Sequence, residues 1–431
     1  MSKKAYLNAT LIDPETGLNE KGGILFEEDR ILDLGAHLNK DSLGSACEVT
    51  ILEGDEYIAP GLVDIRALIG EPGNDHKEDF SSACSAAAAG GITTLACLPE
   101  TKPVIDNIAS LEFVAKKTRE QNSVKIHAYA SLTKNMDGKD LSEIGMLTQN
   151  GAVGFTDCLA PIKSPKTLAR ALSYSKICNA LIINHPNDLD LTGDGHMNKG
   201  ALATRLGLNG IPREAEIIML ERDMRILEMT GGRYHAANIS TSDSVDIIRK
   251  AKEKGLNVTC DTAAFYATLT ENDVEDYRTF TKLMPPLRSD DDRSSIAHAI
   301  KDGTIDIITS DHRPEDQDSK RLPFADASIG AVGLETLLSL GLAIADETDM
   351  PLIDLIASLS LKPANLLGLR DAGRLKKNGA ADFIIFSPTL GWRMDASKLH
   401  SKAKNTPFDQ RAMTGTVLET VINGITHYKK A

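Results

Sequence analysis

From about residue 60 to residue 310 the chain alternates short apolar runs with longer helix-length segments. That alternation restricts the fold more than any other feature. The runs are "LVDIRAL", "ITTLACLP", "VKIHAYASL", "AVGFTD", "ALIINHP", "RYHAANIS", "NVTCDT" and "DIITSD". A parallel strand buried on both faces reads as such a run, and reaching the next parallel strand requires a crossover. Repeated strand–helix units therefore imply a parallel sheet. Eight of them suit a (β/α)8 TIM barrel of about 250 residues or somewhat more. Between runs, "EAEIIMLERDMRILEMTGG" carries apolar residues at three- and four-residue spacing and stops at Gly231-Gly232, which predicts a helix.

The two ends have a different grain. Residues 1–58 alternate apolar runs with Asp-Pro, Gly-Gly and Gly-Asp turns, as a small antiparallel sheet would. "ADFIIFSP" and "GTVLETVINGITHYKK" repeat that texture near the C-terminus. The expected organisation is an α/β chain in two parts. Residues 60–371 form the barrel, and residues 1–59 and 372–431 pair into a small β-sandwich domain.

Composition removes several classes of function. The chain of 431 residues has 48 Lys+Arg against 61 Asp+Glu, a net charge of −13. That excess of acid disfavours nucleic acid and anionic membranes as partners. "MSKKAYLNATLIDPETG" lacks the apolar centre of a signal peptide, and no apolar window of membrane-spanning length occurs. Six cysteines without a CxxC pair suggest reduced thiols, hence a cytoplasmic protein.

Barrel chemistry sits at the C-terminal strand ends. In "GLVDIRALIGEPG", residues 61–73, a metal hydrolase of this architecture would carry two histidines; this chain has Arg66 and Leu68. "AAAAGG" at 86–91 lacks the spacing of a phosphate loop and reads as a small-residue helix end packed on the following strand. "SDDDR" at 289–293 lacks the glycine and distal glutamate of a calcium loop and reads as an acidic helix start. Histidines 37, 76, 127, 196, 298, 400 and 427 form no ligand-spaced cluster.

"APGLVDIRALIGEPGNDHKEDFSSACSAAAAGGITTLACLPETKPVIDN" resembles the N-terminal barrel signature of the dihydroorotases of the amidohydrolase superfamily. "RLGLNGIPREAEIIMLERD", "MPPLRSDDDR", "DGTIDIITSDHRPE", "GAVGLET", "LKPANLLGL" and "NTPFDQR" extend the likeness through nearly the whole chain. The resemblance implies a metal-bearing barrel of the metal-dependent hydrolase type. It also implies a reaction of pyrimidine biosynthesis, the interconversion of carbamoyl aspartate and dihydroorotate.

In register with that family, the first-strand histidine pair falls on Arg66 and Leu68. The fourth-strand ligand falls on Cys158, with Asp157 just before it. The fifth-strand histidine is His185, the sixth-strand ligand falls on Asn238, and the eighth-strand acid is Asp311. His235 lies three positions before the ligand site, and His312 directly follows Asp311; both read as structural. An arginine does not deprotonate to bind a metal, and a leucine offers no donor. The substrate-binding positions also depart from the family: Gly70, Glu100, Met284 and Glu315 stand where it has an Arg, two Asn and a His.

The reading is a dihydroorotase-like pseudoenzyme, with Asp311 a vestige of the catalytic acid and no substrate-binding group intact. No cofactor is expected; at most one zinc would be held by Cys158, His185 and Asp311. We expect the Arg66 guanidinium to fill the metal volume and pair with Asp311, the alternative being an arginine that reaches solvent or a rim acid. As implied by the resemblance, the partners are aspartate carbamoyltransferase, a second copy of the chain, or both. The alternative function is a divergent cyclic amidohydrolase, hydrolysing a cyclic amide C–N bond.

Overall fold

The computed structural model describes residues 3–44, 47–53 and 55–430. The expected domain ranges 1–59 and 372–431 include residues 1, 2, 45, 46, 54 and 431, which lie outside the described residues. Seven of the eight apolar runs form parallel strands with ladders of their own. Leu62–Ala67, Ile92–Cys97 and Lys125–Ala128 make one three-stranded sheet. Leu181–Asn184, Arg233–Ala236, Val258–Ala263 and Ile307–Thr309 make a four-stranded sheet.

The fourth run, "AVGFTD", also pairs, though more briefly: Val153 N donates to Ala128 O (3.1 Å), Ala130 N to Gly154 O (3.1 Å) and Thr156 N to Ala130 O (3.0 Å). Phe155 alone is bridged in parallel on both sides, to Ala130 and to Ile182. Gly154 lies against the Tyr129 ring, and Cys158 already turns away with φ of 58°. Phe155 nevertheless links the two sheets through hydrogen bonds to Leu181 O (2.9 Å) and from Ile183 N (2.8 Å). At the other end Leu68 N donates to His312 O (2.8 Å) and His312 N to Arg66 O (3.2 Å). The parallel pairings thus run from Leu62–Ala67 through every sheet member and return to it.

Each pairing segment is followed by a helix. The helix Glu214–Thr230 stops at Gly231, as the Gly-Gly pair predicts, with a positive φ of 68° that glycine adopts without strain. Asp79, Asn107, Ser164, Thr241 and Ser289 each accept a backbone N–H at the start of a helix, so these starts are set by local chemistry. The "SDDDR" stretch is one of them, opening the helix Asp290–Lys301. Gly90 in "AAAAGG" ends the helix Phe80–Ala89, which packs on the following strand Ile92–Cys97 as expected and also closely on the segment at Leu334. A Cβ on Gly90 would meet Leu334 O at 2.1 Å.

Strands from both ends of the chain share one eight-stranded sheet. It is mixed rather than antiparallel. Lys4–Asp13 pairs antiparallel with its hairpin partner Leu18–Glu27 but parallel with Glu48–Ile51 and Tyr57–Pro60, which return only after a crossover. Phe383–Arg393 lies antiparallel to Tyr57–Pro60 and joins the C-terminal strands to the N-terminal ones. The buried rings of Tyr6, Phe26 and Phe383 hold that join, with centroids 5.3 to 6.0 Å apart. No helix among the described residues is long and apolar enough to cross a membrane.

Phe383 is fully buried between strands of both ends. Phe383→Ala is expected to cost about 3–5 kcal/mol from lost transfer energy and the cavity left behind. Thermal unfolding followed by circular dichroism checks this, and an unchanged midpoint would contradict it.

Candidate functional site

A register shift between Asp64 and Ala67 interrupts the first parallel pairing, and such irregularities re-aim side chains. Arg66 lies within it. Its guanidinium is 2% exposed, and Nε donates to Asp311 Oδ1 at 2.8 Å. Burial pulls the guanidinium pKa down, but Asp311, Asp261 and the Asp311 hydrogen bond outweigh it, so Arg66 stays charged. The partner oxygen, Asp311 Oδ2, accepts from Asn238 Nδ2 at 3.1 Å.

Asn238 is held from every side. Its Oδ1 accepts from Ala263 N (3.0 Å), and its own N–H donates to Asp261 Oδ1 (2.6 Å). Asp261 Oδ2 faces His235 Nε2 at 2.9 Å, while His235 Nδ1 lies 2.8 Å from Thr259 Oγ1. His235 is thereby enclosed in the wall and does not reach the Arg66–Asp311 pair. His312 is likewise tied down, between Glu78 Oε2 (3.3 Å) and the N–H of Gly333 (3.3 Å).

His185 is buried beside the pair. Its Nδ1 lies 3.3 Å from Ala237 O, and its Nε2 has no partner. Burial first, and the positive charge of Arg66 second, push its pKa down to about 4, so the ring is neutral near pH 7. Burial pushes the Cys158 thiol well above its ordinary value, so it is no thiolate nucleophile. Asp157 faces away toward a loop, accepting from Thr133 N (2.9 Å) and the Thr133 hydroxyl. Leu68 packs with Val63, Ile65, Leu98 and Tyr129.

Zinc takes neutral imidazole, thiolate or carboxylate donors at about 2.0–2.3 Å. Among the described residues no group of three His, Cys, Asp or Glu side chains is gathered in that way. Cys158, His185 and Asp311 therefore form no ligand set. Arg66 already holds the Asp311 oxygen a metal would need, and both polar atoms of the Asn238 amide are committed. These residues do not fit a zinc centre.

Charges on the rim are paired as well. Glu100 accepts from Arg313 Nη1 at 2.8 Å, and Glu315 from Lys77 Nζ at 2.6 Å. Met284 is half-buried and offers only its backbone carbonyl, 3.5 Å from Asn238 Nδ2. Gly70 admits no side chain, because a Cβ would lie 2.3 Å from Asn74 O. Arg313 and Asp261 are functional-looking charges that motif reading passes over. The signal for Arg313 is the acid Glu100, part-exposed on the rim and paired with it.

A family model described as dihydro-orotase-like matches residues 55–244. The chain is 40% identical over 426 residues to the dihydroorotase of Ehrlichia chaffeensis, covering 99% of this chain and 95% of the relative. It is also 40% identical to the dihydroorotase of Geobacter metallireducens, over 97% of this chain and 98% of that one. This chain belongs to the dihydroorotase family. Its fold is that of the L-hydantoinase (dihydropyrimidinase) of Arthrobacter aurescens, with a TM-score of 0.87 at 23% identity, covering 100% of this chain and 97% of that one.

Removing one partner of a buried ion pair leaves the other charge uncompensated, at about 3–5 kcal/mol. Arg66→Met is expected to destabilise the protein by that order in chemical denaturation. The double variant Arg66→Met/Asp311→Leu should recover a measurable part, whereas a double variant no better than the single one would contradict the pairing. Burial also pushes Asp157 from its ordinary 3.8 up to about 6. Its folded-state pKa lies above its unfolded value, so this burial is tolerated fully below pH 4 and costs stability as pH rises through 6. The whole effect is about 3 kcal/mol at most. Carboxyl chemical shifts should place its midpoint near 6; a midpoint near 4 would contradict the assignment.

Proposed function

We propose that this chain is a dihydroorotase-family protein of pyrimidine biosynthesis without dihydroorotase activity, acting in the cytoplasm as a structural partner of aspartate carbamoyltransferase. In this reading the ring of parallel pairings is a (β/α)8 barrel, residues 60–371. The shared terminal sheet belongs to a small β-sandwich domain, residues 1–59 and 372–431. The observation that carries the proposal is the buried 2.8 Å contact between Arg66 and Asp311. Metal-assisted hydrolysis needs a Lewis acid and an activated water at this point. A guanidinium supplies neither, and it ties up the carboxylate that would shuttle the proton. Likeness to the dihydroorotases extends over almost the whole chain, so loss is confined to the chemistry and the framework persists. A protein kept for its framework acts through its surface.

A second reading is a divergent cyclic amidohydrolase. The unpartnered, buried His185 Nε2 beside a retained Asp311 favours it, since a bound substrate atom would satisfy that nitrogen.

One preparation, supplied with zinc, separates the two. Dihydroorotate hydrolysis and carbamoyl aspartate cyclisation should not exceed the uncatalysed rate, and the protein should co-elute with aspartate carbamoyltransferase from the same source in gel filtration. Turnover at about 1 s⁻¹ or faster, the ordinary range of enzymes, would overturn the proposal. Separate elution of the two proteins would overturn the partnership.

A further inference from the structure

A cavity of about 520 Å³ opens beside the Asp311 loop, between the turn at 277–280, the helix Gln317–Lys320 and the segment 404–405. Four cations line it: Arg278, Lys320, Arg321 and Lys404. In a chain with thirteen more acids than bases, such a grouping is unexpected on composition alone. The hydrogen bonds of all four end on neutral oxygens. Arg278 Nη2 reaches only Thr406 O, at 3.4 Å, and Arg321 Nη2 bonds the Gln317 side-chain oxygen at 2.9 Å. Lys404 Nζ donates to Ser401 O at 2.7 Å, and Lys320 Nζ to Thr279 O (3.0 Å) and Ser328 O (2.6 Å).

The two acids on the same wall are already engaged. Glu315 is paired with Lys77, and Asp316 accepts from Ser319 N at 2.9 Å as a helix cap. Lys320 is only 3% exposed. Burial draws its pKa down to about 7, as expected of an ammonium whose counter-charge is too weak. Two flat rings, Tyr277 and Phe280, complete the lining, and Tyr277 is 47% exposed. The Arg278 guanidinium lies 5.9 Å from the Phe280 ring centre.

Guanidinium forks and ammonium groups bind phosphate oxygens, while aromatic faces stack on planar bases. The volume falls in the usual range for small-ligand sites, about 300–1,000 Å³. We propose that this cavity is a binding site for a phosphorylated molecule carrying a planar ring, of the nucleotide class, separate from the Arg66–Asp311 centre. Its phosphates face Arg278, Arg321 and Lys404, and its ring lies against Tyr277 and Phe280. The site stands independently of whether the centre hydrolyses anything.

Isothermal titration of the full chain with ATP, adenosine and inorganic pyrophosphate tests this. ATP should bind, with adenosine and pyrophosphate each at least about tenfold weaker, since each lacks one half of the recognition. Arg278→Gln and the charge reversal Arg321→Glu should each weaken ATP binding by about fivefold or more while leaving the thermal midpoint unchanged. Arg321 is exposed and bonds only a glutamine side chain and its own helix, so its replacement spares the fold. The proposal is overturned if ATP does not bind, if both variants bind it as the parent does, if pyrophosphate binds as tightly, or if only an acidic peptide competes for the site.

Discussion

The contact between Arg66 and Asp311 is the constraint around which the centre of this protein is organised. An isolated buried charge costs several kcal/mol, and an ion pair repays that only with good geometry and satisfied neighbours. Here Asp311 accepts from Arg66 and from Asn238, and Asn238 is locked by Ala263 and Asp261. Each link therefore depends on the next. Burial chiefly, and the positive charge of Arg66 after it, keep His185 neutral.

The backbone around the pair is held in costly conformations. Cys158, Asn238 and Asp311 all adopt left-handed φ, at 58°, 62° and 42°. Such conformations in residues other than glycine cost of order 1–3 kcal/mol each and persist where surroundings over-determine them. They fall at the ends of three different pairing segments and aim at one point. Fold and family speak for the framework, while the occupants of these positions speak for what it does.

Much of the framework is legible in the sequence because parallel strands buried on both faces leave continuous apolar runs. "AVGFTD" pairs the most briefly of them for a physical reason: between Gly154 and the turn at Cys158 only Phe155 forms a bridge on both sides. The terminal sheet is mixed because crossover lengths, which decide strand direction, leave no residue signature in "CEVTILEGDEYIAPG". At the centre, Arg66 and Asp311 are legible as a pair because a buried acid calls for a counter-charge and an arginine fork supplies a permanent one. Arg313 and Asp261 are not, since their meaning depends on Glu100 and Asn238, which are distant in sequence and adjacent only after folding. The cationic cavity is hidden for the same reason: its four cations are scattered from 278 to 404.

The most direct test of the central claim is a crystal grown in zinc, with anomalous data collected on both sides of the zinc absorption edge. Guanidinium density in contact with Asp311, without an anomalous peak between residues 66 and 311, is the result this account predicts. A strong peak there, ligated by His185 and Asp311 with Arg66 swung aside, would contradict it.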